Sequence, residues 1–148
     1  MRKLLVGLSG LLLAGACTTR STVIPASSGP GGAGPRPALD AFLSAVRAQD
    51  LQALSNAWGD KDGPVRDSKR IGRDEVERRE LLLMCFFRND KYRVLSESPA
   101  ANGERVMQVE LTKGTLTRTT NFYAVQGGDR WFIRTADVEP VRDLCQKK

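Results

Sequence analysis

The spacing of polar and apolar positions changes twice along this chain. Arg2 and Lys3 precede a continuous apolar run, Leu4 to Leu13, which gives way to Ala14-Gly15-Ala16 just before Cys17. From residue 39 the spacing becomes helical. Leu39, Phe42, Leu43 and Val46 fall at i, i+3, i+4 and i+7, after Pro37. Asp50 is placed to cap a second helix carrying Leu51, Leu54 and Trp58, with Gly59 to end it. The polar stretch Asp60 to Gly72, which contains Gly63-Pro64, reads as a loop. A third helix is predicted from near Asp74 to Phe87. Its first half is charged and its second half, Leu81 to Phe87, is almost wholly apolar, so its C-terminal end is expected to be buried. After Asn89-Asp90 the period falls to two. Tyr92 to Ser96 reads as a strand, and Ser98 to Gly103 as a turn with Pro99 and Asn102-Gly103. Arg105 to Lys113 puts Met107, Val109 and Leu111 on one face. Gly114 turns the chain into Leu116 to Val125, and Gly127-Gly128-Asp129 turns it into Trp131 to Ala136. Three helices followed by three or four antiparallel strands make an α+β domain.

The opening has the positive, apolar and small-residue order of a secretory signal. With Cys17 as the first residue past the small ones, it resembles the bacterial lipoprotein signal, whose cysteine thiol is lipidated before cleavage. It departs from that pattern at Ala14, where Leu is usual. The resemblance implies a signal peptide over 1–16, palmitate-class lipid on Cys17 and a place in the bacterial cell envelope, held to the membrane by that lipid. In a host with two membranes, Thr18 rather than Asp after the cysteine implies the outer one. A transmembrane anchor is disfavoured, because about 13 apolar residues fall short of the roughly 20 needed to span a bilayer. An ordinary signal cleaved after Ala14 and Ala16 would leave Cys17 as an exposed free thiol, which needs a reason to persist.

Composition divides the rest. Residues 17–37 are rich in Gly, Pro and Ser, culminating in Ser27-Ser28-Gly29-Pro30-Gly31-Gly32-Ala33-Gly34-Pro35, and read as a flexible tether. Residues 38–148 have the size and the aromatic content of one domain. The formal charge of +6 is partly the work of Arg2, Lys3 and Arg20 in the signal and tether. Within the domain, basic and acidic residues alternate, as in Arg73-Asp74-Glu75-Val76-Glu77-Arg78-Arg79-Glu80, which argues against nucleic acid as a partner. Of the three cysteines, lipidation of Cys17 leaves Cys85 and Cys145 in an oxidising compartment, and they are expected to pair. Closing a loop of about 60 residues stabilises a fold by roughly 4 kcal/mol in the chain-entropy account.

The order of elements, together with the runs Phe42 to Trp58 and Trp131-Phe132-Ile133-Arg134 to Asp137-Val138-Glu139-Pro140, resembles the nuclear transport factor 2-like superfamily. This group includes ketosteroid-isomerase-like and SnoaL-like enzymes. The resemblance implies three helices packed on a strongly curved antiparallel sheet of about four strands, with a conical pocket. An isomerase of this kind needs an acid and a base in that pocket. The chain has no His, which removes the commonest general base at neutral pH. The remaining carboxylates are Glu97, Glu110, Asp137 and Glu139, with Tyr92 and Tyr123 as donors. Asp137 with Tyr123 is the best catalytic pairing among them, yet a solvated carboxylate and a rim aromatic are the plainer reading. No cofactor motif and no metal-ligand spacing is present: the glycines of 29–34 follow no strand, and Asp60-Lys61-Asp62-Gly63 lacks the later calcium ligands. The expectation is therefore a lipid-anchored, non-catalytic domain that binds an envelope protein or a small apolar ligand. An envelope enzyme with a conical pocket is the alternative.

Overall fold

The computed structural model describes residues 29–146, so the signal and Cys17 lie outside the described residues. Helix α1 (Pro35–Ala48) opens on a proline, which tolerates the first turn because no partner is needed for the missing N–H. It ends at Gln49, whose left-handed backbone (φ 55°) turns its N–H back onto Val46 O. Its buried side holds Leu39, Phe42, Leu43 and Val46 at the expected spacing, with Ala38 and Ala45 between them. Asp50 Oδ1 accepts from the Ala53 N–H at 3.0 Å and starts α2 (Leu51–Ala57). The expected loop holds a two-residue hairpin, β1 (Gly59–Asp60) against β2 (Gly63–Pro64), then a 3-10 helical turn, Val65–Asp67. Helix α3 spans Arg73–Phe86.

Four antiparallel strands follow in the order β3 (Lys91–Pro99), β4 (Arg105–Lys113), β5 (Leu116–Gly127) and β6 (Arg130–Ala136). The domain is thus α+β, with three helices on one four-stranded sheet. Alternation sends Met107, Val109 and Leu111 of β4 inward, and all three are fully buried. Phe122 and Ala124 of β5 join them. The sheet is not strongly curled. Against it, Phe42 of α1, Phe87 after α3 and Phe122 of β5 meet with ring centroids 5.0–6.2 Å apart in tilted and edge-on pairs. Such rings, 0–1% exposed, fill the space between helices and sheet where a conical pocket was expected.

The last part of the expected tether belongs to the fold instead. Gly31 and Gly32 are buried. Gly32 exchanges backbone hydrogen bonds with Trp131 of β6 (2.8 and 2.9 Å), and the Gly31 N–H donates to Asn56 O at 2.8 Å. The Arg130 guanidinium donates to Pro30 O and Gly31 O. A Cβ on Gly32 would stand 2.3 Å from Ala38 N, and one on Gly31 (φ +71°) 2.5 Å from Trp131 O. The glycines are there because backbone must pass where no side chain fits. Their composition suits a mobile linker equally well, which is why the boundary at residue 37 is misplaced.

Helix α3 corrects a second expectation. Val76, Glu80 and Met84, spaced by four, form its buried stripe, continued by Phe87. Leu81 and Leu82 point away from it and are 54% and 51% exposed. A helix lying on one layer buries one stripe only, and the apolar run is wider than that stripe. Beyond the sheet, the 3-10 segment Glu139–Cys145 buries Val141 and Leu144. Cys85 is bonded to Cys145 with the two Cα atoms 4.7 Å apart, tying the end of α3 to this tail.

Candidate functional site

Two open grooves flank the segment 65–71, which walls one from the other. Val65, Asp67, Ser68 and Ile71 line both. The first, about 470 Å³, has Trp58, Val65 and Ile71 as its apolar surface and the guanidiniums of Arg70, Arg79 and Arg134 around it. Trp58 is fixed from behind: its indole N–H donates to Arg134 O at 3.3 Å, and its backbone bridges Ile133 of β6. Each of the three arginines already holds a carboxylate. Arg70 pairs with Asp60 and Asp62, Arg79 with Glu75 at 2.7 Å, and Arg134 with Glu104 through two bonds of 2.6 and 2.8 Å. Lys69 also lines the groove without a carboxylate partner among the described residues, and Trp58, Val65 and Ile71 make its apolar surface.

The second groove, about 660 Å³, is more polar and has Glu80 at its base with Ser55, Gln52, Arg66 and Arg73 around it. Glu80 is 3% exposed. Burial pushes its carboxyl above the usual range, the Ser55 hydroxyl draws it part of the way back, and nearby Glu77 adds to the rise. Ser55 Oγ lies 2.5 Å from Glu80 Oε1 and 2.8 Å from Leu51 O, and its one proton serves one of these acceptors at a time. Sequence reasoning passed over Glu80, although its spacing from Val76 and Met84 puts it on the buried stripe of α3.

The carboxylates and tyrosines singled out from the sequence are dispersed. Glu97 is held by Arg36 at 3.0 Å and by Arg105 at 3.0 Å. Its burial raises the carboxyl pKa, but those hydrogen bonds and charges outweigh it and leave the group below its ordinary range. Glu110 pairs with Arg93 across β3 and β4 at 3.1 Å, and Glu139 with Arg142 at 2.9 Å on the surface. Tyr92 donates to Asp40 beneath the Arg47 guanidinium. Burial, then the hydrogen bond and charge of Asp40, push its hydroxyl up to about 12.

Asp137 and Tyr123 do meet. Asp137 Oδ2 accepts from Asn121 Nδ2 at 3.0 Å and from the Tyr123 hydroxyl at 3.4 Å. Burial and the Asp137 charge raise the tyrosine pKa. Yet Asn121 and Tyr123 alternate along β5 with buried Thr120, Phe122 and Ala124, so they stand on the face of the sheet away from the core. Neither Tyr123 nor Asp137 lines either groove. Among the described residues, no group of three or more His, Cys, Asp or Glu side chains is placed to hold a metal ion. No helix among them is long and apolar enough to cross a membrane. Comparison with protein-family models, curated proteins and solved structures finds no match for this chain.

Proposed function

We propose that this chain is an exported bacterial envelope protein, anchored by lipid on Cys17, whose domain binds a ligand or partner without turning it over. The Trp58 groove is the binding surface. The observation that carries the binding reading is the filled interior: Phe42, Phe87 and Phe122 occupy the space a catalytic cone would need. What remains open is a surface groove with a braced indole and arginines already held by carboxylates, suited to a small apolar ligand or a partner's side chain. The disulfide supports export, since such bonds persist in oxidising compartments. The helix order over a four-stranded antiparallel sheet supports a nuclear transport factor 2-like arrangement, in a form whose sheet is not strongly curled.

A second reading, an envelope enzyme of the ketosteroid-isomerase type, draws on the contact of Tyr123 and Asn121 with Asp137. On the outward face of β5 that group is only half-buried, short of the enclosure from water that such chemistry requires. The test is turnover of a β,γ-unsaturated ketone by the exported protein, followed across pH. No turnover above background is expected. Turnover lost in Asp137→Ala or Tyr123→Phe would overturn the binding reading. For the groove, quenching or shift of Trp58 emission by an apolar probe such as anilinonaphthalene sulfonate, absent in Trp58→Phe, is the expected result. Identical probe binding in Trp58→Phe would remove the groove from the account.

A further inference from the structure

We propose that the Leu81–Leu82 face of α3 is a membrane-contact surface, laid against the bilayer that holds the lipid anchor. The inference rests on the lipid-anchor reading. These are the two most exposed large apolar side chains among the described residues. They form a helical stripe with Arg78 and Cys85 at i, i+3, i+4 and i+7, all of it exposed or half-buried. Arg78, Arg79 and the exposed Arg88 bracket the leucines, with Arg78 and Arg79 also paired to Glu75 on the preceding turn. An apolar pair beside Arg88, which pairs with no carboxylate among the described residues, suits the interface of an anionic bilayer, with leucines in the acyl boundary and that guanidinium at the phosphates.

Two further observations select a bilayer as the occupant. Two half-exposed leucines offer on the order of 100 Å² of apolar surface, far below the roughly 800 Å² per partner of a stable protein interface. That small area is useful only where another attachment already holds the domain in place, and a lipid on Cys17 supplies one. The residues 18–28 between Cys17 and the first described residue reach at most about 40 Å even when fully extended. The domain is then never farther from the lipid surface than about its own diameter. The disulfide also makes the surface firm, because Cys85 at the end of the stripe is locked to Cys145.

The experiment places a tryptophan at Leu82 (Leu82→Trp) or, as a comparably exposed control on β3, at Leu95 (Leu95→Trp; Leu95 is 42% exposed). Each full-length exported protein is reconstituted in phosphatidylethanolamine–phosphatidylglycerol vesicles containing brominated acyl chains. The expected result is about twofold more quenching of the added emission in Leu82→Trp than in Leu95→Trp, falling when phosphatidylcholine replaces the anionic lipid. Equal quenching at the two positions would overturn the proposal. A stable dimer in detergent that dissociates on Leu81→Ser/Leu82→Ser would also overturn it, by assigning the face to a second copy. Mass spectrometry of the same preparation reports the anchor separately. A protein without lipid on Cys17 refutes the anchor reading, whereas lipidated protein with equal quenching at the two positions refutes the surface alone.

Discussion

The strand-like strap of residues 29–34 and the end of α3 are opposites. By composition, the strap is rich in glycine and proline and destined for solvent, while Leu81 to Phe87 is apolar and destined for the core. In the fold Gly31 and Gly32 are buried and Leu81 and Leu82 are exposed. The difference shows that access, rather than hydropathy, decided burial at both places. The strap enters because it offers backbone groups and no Cβ to a gap between α1 and β6. The leucines stay out because the layer beneath α3 has room for one stripe, and Val76, Glu80, Met84 and Phe87 fill it.

The comparison can be broken at four points. The largest effect is expected beside the exposed leucines, where Cys85→Ser with Cys145→Ser should lower stability by about 4 kcal/mol by releasing a long loop. Urea unfolding with and without reductant measures it, and reductant should leave the double variant unchanged. Next comes Gly32→Ala. Its methyl would meet the Ala38 backbone at 2.3 Å, so a loss of about 3 kcal/mol is expected. An unchanged urea midpoint would mean the strap is no part of the cooperative unit.

The third effect is electrostatic. Glu80 holds its proton more tightly folded than unfolded, because burial raises its pKa. Its contribution therefore favours the fold at low pH and is lost as pH climbs from the unfolded pKa through the folded one. Glu80→Gln keeps a neutral side chain next to Ser55, so it should gain stability relative to the wild type as pH rises through the carboxyl range. Glu97, lowered by Arg36 and Arg105 despite its burial, has the opposite slope: its contribution is present above the unfolded pKa and fades as pH falls through the folded one. Parallel pH profiles for Glu80→Gln and wild type would contradict the raised pKa of the buried carboxyl. The smallest effect is Leu82→Ser, within about 0.5 kcal/mol of wild type. A loss of several times that would mean the side chain is covered in solution.

What the sequence made legible were the positions where one residue's environment follows from its neighbours' spacing. The buried faces of α1 and β4 could be read from Leu39, Phe42, Leu43 and Val46 and from Met107, Val109 and Leu111. The Asp50 cap could be read from its chemistry. Closure of Cys85 onto Cys145 followed from counting cysteines. The hairpin of β1 and β2 is too short to carry a period, and the strap depends on contacts about 100 residues away at Arg130. The Glu80 site was hidden in a charged run, where the helical stripe and the residue type pointed in opposite directions. Asp137 and Tyr123 lie within hydrogen-bond distance, but which side of β5 faces the core determines their use, and that follows from how Phe122 packs.

The claim on which the rest depends is that Cys17 carries lipid. The direct measurement is metabolic labelling with an alkyne analogue of palmitate, comparing wild type with Cys17→Ser in a bacterial host. The account predicts a labelled wild-type band and an unlabelled Cys17→Ser band. An unlabelled wild type, or equal label in both, would contradict it.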